Sequence, residues 1–251
     1  MPEQFRTAQF PTAVVTGAGR GFGRAIAAAL VAGGTRVIGI ARDERELRAV
    51  RDELGDRFTP VAADATDETL AQDVIREHGP TLLVLNAGAL PHMAPVHEQT
   101  WETFSRHWHV DTRHVFAWTR AALRAPLAPG SVVVSLSSGA VLGGSPLSGG
   151  YASAKAAVRY LRGYAAGESE RAGLGLRFVT LLPQMTPGTG IGSAAIAGYA
   201  ERLGVDRDTF VAGRQPILTP AQFAKAVVEV AADPDSAPEY QGTGSGLQPI
   251  D

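Results

Sequence analysis

The chain has 251 residues, 23 Lys plus Arg against 25 Asp plus Glu, and no cysteine. Without cysteine there are no disulfides, thiolate nucleophiles, iron–sulfur clusters or Cys-based zinc sites. A formal net charge of −2 offers no basic field to recruit nucleic acid or an anionic membrane, so neither is expected as a partner. Hydrophobic residues make up 45%, enough for one large core. No apolar run opens the sequence and none approaches the ~18 residues of a membrane span, so a cytoplasmic protein is expected.

Strand-like apolar runs fall at 13–16, 36–40, 59–63, 82–85, 132–136 and 176–182. Helix-like amphipathic stretches alternate with them, as at 23–32, 44–54 and 68–77. Near-continuous apolar strands separated by helices predict a buried parallel sheet with helices on both faces. That is an α/β, doubly wound, Rossmann-type three-layer fold. No linker interrupts the pattern, so 1–251 reads as a single domain. Residues 183–212 form a Gly-, Ala- and Thr-rich insertion ahead of a helix starting near Thr219. Open α/β sheets bind ligands at the carboxyl ends of their strands, where this insertion begins. The tail from Pro238 is polar and Gly-rich, with at most a short strand.

The first strand runs into Gly17-Ala18-Gly19-Arg20-Gly21-Phe22-Gly23 and then a helix. Strand, glycine turn and helix N-terminus in that order make a pyrophosphate site, because backbone N–H groups and the helix dipole both favour an anion. Gly17 permits the tight turn, Gly21 lets the backbone approach the phosphates, and Gly23 lets helix and strand pack closely. The second strand ends in Ala41-Arg42-Asp43. An acidic side chain there would bind the adenosine ribose of NAD and repel the 2′-phosphate of NADP. Arg42 instead offers a fork for a phosphate, with Arg20 as a second candidate.

The strand at 132–136 ends in Ser137-Ser138, and Tyr151-Ala152-Ser153-Ala154-Lys155 opens a helix 13 residues after Ser138. Positions 151 and 155 lie one turn apart on one face. Ketone reduction needs a proton for the developing alkoxide, and a free phenol titrates near ~10, too high to exchange readily near neutrality. Favouring phenolate by three pK units takes roughly 4 kcal/mol, part of which a neighbouring ammonium supplies. Of the 23 cations only Lys155 and Lys225 are lysines.

Thr16 ahead of Gly17-x-x-x-Gly21-x-Gly23, the turn Asn86-Ala87-Gly88, Ser138 and Tyr151-x-x-x-Lys155 together resemble the single-domain short-chain dehydrogenases/reductases, from about Thr12 to Pro183. The resemblance implies Tyr151 as general acid/base, Lys155 as its pKa modulator and ribose ligand, and Ser138 as the group that orients substrate. It implies NADP(H) as the favoured cofactor and NAD(H) as the alternative, since Ala41 stands where NAD-preferring members carry Asp. Phe22, Asp64, Ala65, Asn86, Ala87, Gly88, Pro183 and Thr186 join the glycine turn as cofactor contacts, with Thr186 or Thr189 expected at the carboxamide. It also implies a homodimer or homotetramer. Two positions depart from the pattern. Asp111 replaces the usual Asn, where it would support the proton relay while opposing phenolate at Tyr151; pairing with Arg106 or Arg113 is the alternative. Gln184 replaces a Gly after the sixth strand, so the loop beside the nicotinamide is expected to run differently.

Five of the six histidines fall between 92 and 114 without metal-ligand spacing, and no metal is expected. Trp101, Phe104, Trp108 and Phe116 are expected to pack against the sheet or a partner subunit. Substrate contacts are expected from Ser138, from the segment 139–148 that includes Val141, from His92 and from Met185. These are mostly small and apolar, which points to an uncharged or weakly polar carbonyl or alcohol. Reversible hydride transfer between NADP(H) and a ketone or secondary alcohol is the function that fits best. A nucleotide sensor without turnover, and an epimerase or dehydratase that oxidises its substrate transiently, are the alternatives.

Overall fold

The computed structural model describes residues 10–125 and 127–250. Its strands are β1 (Thr12–Thr16), β2 (Arg36–Ala41), β3 (Phe58–Ala62), β4 (Leu82–Leu85), β5 (Val132–Leu136), β6 (Arg177–Pro183), β7 (Glu239–Thr243) and β8 (Gly246–Pro249). They form one sheet in the order β3-β2-β1-β4-β5-β6-β7-β8, parallel except for β8 against β7.

The larger helices are α1 (Gly21–Ala32), α2 (Glu44–Leu54), α3 (Glu68–His78), α4 (Trp101–His107), α5 (Arg113–Arg124) and α7 (Gly149–Arg171). A single turn, α6 (Ala140–Gly143), precedes α7, and α10 (Pro220–Ala232) follows the insertion. Strand alternation sorts side chains to the two faces. Val15, Val84 and Val134 join Ile26, Leu30, Phe223 and Val227 on one side; Val14, Leu83 and Val133 join Val74, Trp118 and Val158 on the other. Each face thus has its own helical layer, and the central strands are closed to water, which is why they read as unbroken apolar runs. Among the described residues no helix is long and apolar enough to cross a membrane.

Two segments carry more structure than their composition suggests. The insertion holds α8 (Gly190–Leu203) and α9 (Arg207–Ala212), started by the side chains of Thr189 and Asp206 as N-caps. The tail makes two strands instead of one. Tyr240 and Leu247 pack against the core from β7 and β8, and that apolar contact pins an otherwise polar hairpin to the sheet.

Candidate active site

The carboxyl ends of β1, β4 and β5 open into a cavity of about 1080 Å³. Sheet order runs outward in both directions from the β1/β4 pair, and this is the crevice where open α/β sheets bind ligands.

The glycine turn forms one wall. Gly17 and Gly21 hold φ of 67° and 55°, a left-handed region costly for a residue with a Cβ. A Cβ on Gly23 would stand 2.1 Å from the Gly17 carbonyl oxygen. Gly23 therefore sits behind the turn, closing helix on strand, and is not part of the lining that Gly17, Arg20, Gly21 and Phe22 provide. Arg20 occupies the N-cap of α1 without a side-chain cap, whereas Asp43, Asp67 and Thr219 cap α2, α3 and α10. The first-turn N–H groups of α1 are left for a ligand, which is the donor set a pyrophosphate needs.

Thr16 ties this turn to the next. Its Oγ1 accepts from the N–H of Asn86 at 2.9 Å and of Ala87 at 3.1 Å. The Asn86 amide donates to the carbonyls of Thr16 (2.9 Å) and Gly17 (3.3 Å). Asn86 thus shapes the cavity beside Ala87 and Gly88 with its amide already engaged. At the other end Ala41, Arg42, Asp64 and Ala65 line the wall. Arg42 is exposed and makes no salt bridge among the described residues. Arg20 pairs instead with Glu46, Nη1 to Oε1 at 3.3 Å, and Glu46 also reaches the cavity. A backbone N–H from Thr66 holds the Asp64 carboxyl below the usual carboxylate range.

The middle of the cavity is built by β5 and α7. Lys155 Nζ donates to the carbonyl of Leu136 at 3.0 Å, and Ser137 Oγ donates to the carbonyl of Lys155 at 2.8 Å. Ser137 is therefore bound to the α7 backbone. Ser138 lies close enough to Tyr151 to draw its phenol down, and its Oγ accepts from the N–H of Ala140 at 3.2 Å. Lys155 Nζ lies 5.8 Å from the Tyr151 ring centre. All three side chains line the cavity.

Asp111 stands just behind them. It lies in a π-helical turn, Trp108–Thr112, inserted between α4 and α5. Such turns widen the helix and re-aim side chains. The carboxylate is fully buried, with Oδ1 3.1 Å from Lys155 Nζ and Oδ2 accepting from Ala89 N at 3.2 Å. Oδ2 also lies 3.0 Å from Nδ1 of His107. Among the described residues Asp111 pairs with Lys155 and His107, and with neither Arg106 nor Arg113. The buried His107 ring meets Tyr151 edge-on, centroids 5.2 Å apart.

Charge within this cluster follows from that geometry. Burial pushes the Asp111 carboxyl up, but Lys155 and His107 outweigh it and hold the group at about 2. Burial disfavours the Lys155 ammonium, yet Asp111 and Tyr151 raise it above the usual lysine value. Burial raises the Tyr151 phenol; Lys155 and the Ser138 contact draw it back, Asp111 pushes it further up, and the net direction is upward. Burial, joined by the charge of Lys155, brings His114 down to about 3 and keeps it neutral.

Several expected residues fall elsewhere. His92 is exposed and Val141 half-buried, and neither lines the cavity; Gly139, Ala140, Gly143, Gly144, Ser145, Pro146 and Ser148 represent that segment instead. Pro183, Met185 and Thr186 do line it. Gln184 takes no left-handed backbone. Its N–H donates to the Gly242 carbonyl at 2.7 Å and its amide to the Pro216 carbonyl at 3.0 Å. The loop after β6 is thus stitched to the tail hairpin. Thr189 is engaged as the α8 cap. Sequence reasoning missed His107, although its place four residues before Asp111 was a usable signal. It also missed Glu46 and, within the insertion expected at the ligand end of the sheet, Tyr199, which bonds Ser145.

A profile described as short chain dehydrogenase matches residues 11–197. The chain therefore belongs to the short-chain dehydrogenase family of NAD(P)-dependent oxidoreductases. It is 30% identical over 241 residues to the NADP-dependent 3-hydroxy acid dehydrogenase YdfG of Salmonella typhi, covering 88% of this chain and 89% of that protein. It is 32% identical over 185 residues to the short chain dehydrogenase MYCFIDRAFT_6125 of Pseudocercospora fijiensis, covering 69% of this chain and 60% of that one. Among solved structures, one provisionally named as an NAD(P)-dependent gluconate 5-dehydrogenase of Beutenbergia cavernae, with bound NADP, superposes with a TM-score of 0.78. Its identity is 26%, over 93% of this chain and 95% of that one.

Proposed function

We propose that the protein is an NADP(H)-dependent oxidoreductase moving a hydride reversibly between the nicotinamide and a ketone or secondary alcohol. The supporting observation is the convergence of Ser138, Tyr151 and Lys155 on one cavity that also takes in the uncapped start of α1. Bound there, the dinucleotide supplies or accepts the hydride. Gly17, Gly21 and the first turn of α1 hold its pyrophosphate. Lys155 serves its ribose hydroxyls.

During reduction the Tyr151 hydroxyl gives its proton to the carbonyl oxygen as negative charge gathers there; during oxidation the phenolate takes the alcohol's proton. Lys155 stabilises the phenolate, and Ser138 donates to the substrate oxygen and keeps it beside the phenol. Asp111 holds Lys155 charged and in place. NADP(H) is favoured because Ala41 brings no carboxylate to the adenosine ribose and Arg42, free of salt bridges among the described residues, stands beside it. YdfG of Salmonella typhi is described as NADP-dependent, which agrees. The chain acts as one domain, with the segment after β6 covering the substrate. An exposed apolar face on α5 and α7 supports a homodimer or homotetramer.

NADPH and NADH titrations followed by a ketone panel at the nicotinamide absorbance band test the assignment. Tyr151→Phe is expected to lose about 10²–10⁴ in kcat while still binding NADPH. A protein that binds neither dinucleotide would refute it. Binding without turnover identifies a sensor, and conversion without net absorbance change an epimerase or dehydratase.

A further inference from the structure

The cavity's carboxylates are confined to one end. Its acidic liners are Asp43, Glu46 and Asp64, all in the segments that follow β2 and β3. The wall contributed by α8, α9 and the loop after them carries no carboxylate among the described lining residues, but it carries Arg202 and Arg214. Neither arginine makes a salt bridge among the described residues.

This wall is tied to the catalytic loop. On α8, Ala195, Tyr199 and Arg202 recur at helical spacing and line the cavity. The Tyr199 hydroxyl bonds Ser145, which bonds Ser148, the residue that starts the helix of Tyr151 and Lys155. Tyr199 stacks on Phe210 with centroids 6.3 Å apart, and the Arg214 guanidinium lies 4.4 Å over the Phe210 ring. A guanidinium stacked on an aromatic ring is restrained and keeps its edge free for an anion.

These cations belong to a different end of the cavity from the dinucleotide phosphates. Helix α8 begins against the glycine turn, where Thr189 Cγ2 would stand 3.4 Å from a Cβ on Gly21. Arg202 is thirteen residues beyond Thr189, roughly 20 Å at 1.5 Å per residue.

We propose that the carbonyl substrate carries an anionic group, a carboxylate or a phosphate, received by Arg202 and Arg214 while its carbonyl faces Ser138 and Tyr151. This rests on the hydride-transfer reading and changes the substrate expected from composition, which took in the small apolar residues of 139–148 but not the arginines.

Matched pairs test it. Acetoacetate against ethyl acetoacetate gives the carboxylate arm, and dihydroxyacetone phosphate against dihydroxyacetone the phosphate arm, each reduced with NADPH. The charged member of one pair is expected to have the higher kcat/KM. That preference should fall about tenfold or more in Arg202→Ala and Arg214→Ala, less in the Lys variants, and weaken as salt rises. Which pair shows the effect separates carboxylate from phosphate. In parallel, malonate and inorganic phosphate are titrated into the protein–NADP⁺ complex, where binding by the parent and its loss in the Ala variants needs no turnover. Equal handling of charged and neutral partners, together with anion titrations that the Ala variants leave unchanged or that show no binding by the parent, overturns the proposal. Failure to bind either dinucleotide would instead strike the hydride-transfer reading.

Discussion

Lys155 Nζ and Asp111 Oδ1 lie 3.1 Å apart, both side chains buried. The pair sets the electrostatics of Tyr151 in opposite senses: the ammonium favours phenolate and the carboxylate opposes it. Alcohol oxidation needs the phenolate, so its rate climbs as pH rises through the Tyr151 pKa. Asp111→Asn removes one of the causes that raise this pKa. The rising limb of kcat/KM for oxidation is therefore expected to move to lower pH in the variant. Profiles of both proteins from neutral to alkaline pH measure this, and a limb that stays put or moves upward contradicts the role assigned to Asp111.

The same pair makes a claim about stability. Removing one partner of a buried ion pair leaves the other charge uncompensated, at a cost of about 3–5 kcal/mol. Asp111→Ala should approach that loss in denaturant titration, and Asp111→Asn, which keeps a polar oxygen near Lys155, should lose less. The pH dependence has a definite sign. The folded carboxyl sits at about 2, below its ordinary 3.8. Its contribution is complete above the ordinary value and disappears as pH falls through about 2. The gap between parent and Asp111→Asn is expected to narrow over that acidic window; a constant gap would mean the carboxylate's charge contributes nothing.

Arg42 is the residue proposed to carry the cofactor preference. It stands at the end of β2, exposed and free of salt bridges among the described residues, while Arg20 is engaged by Glu46. A charge-assisted contact to phosphate contributes about 1.5–3 kcal/mol. Arg42→Ala is thus expected to weaken NADPH by tenfold or more and to leave NADH within a factor of about three. Fluorescence titration of both cofactors reads this directly. Arg20→Ala should have the smaller effect of the two, and the reverse order would move the phosphate site to the glycine turn.

What was legible in the sequence follows from what each signal depends on. β1, β2, β4, β5 and β6 announced themselves because burial on both faces leaves long apolar runs, whereas the edge strand β3 is mostly exposed. The glycine turn and Tyr151-x-x-x-Lys155 were readable because a fixed backbone geometry demands fixed spacing. The tail hairpin was under-read because only Tyr240 and Leu247 give it apolar packing, while the β6 ladder and the Arg159 and Arg162 pairs to Glu239 that also hold it are tertiary and leave no trace in composition. His92 and Val141 were placed in the cavity by proximity in sequence, yet they sit on loops whose paths tertiary contacts decide. Arg202 and Arg214 reach the cavity only because α8 and α9 fold back over it. The pairing of Asp111 with Lys155 depends on the π-helical turn, whose extra residue leaves no mark in the residue pattern, whereas the i, i+4 spacing from His107 was there to be read.

A last expectation concerns the outer face of α5 and α7. Phe116 is 45% exposed, Tyr160 76% and Tyr164 64%, and a shallow depression beside them is lined by Trp108, Phe116, Tyr160 and Leu161. Apolar side chains gathered on one helical face of a folded chain mark an association surface more often than chance exposure. Trp108 and Phe116 are half-exposed, so packing against the sheet, one of the two roles expected for them, leaves much of each ring uncovered. A second copy of the chain would meet this face with the same face, as a twofold contact requires. Phe116→Glu combined with Tyr160→Glu places buried, unpaired carboxylates in such a contact while leaving the cavity untouched. Sedimentation is expected to show an oligomer for the parent and a monomer for the variant, with NADPH binding retained by both. A parent that sediments as a monomer across the micromolar range would leave these rings exposed for some other purpose.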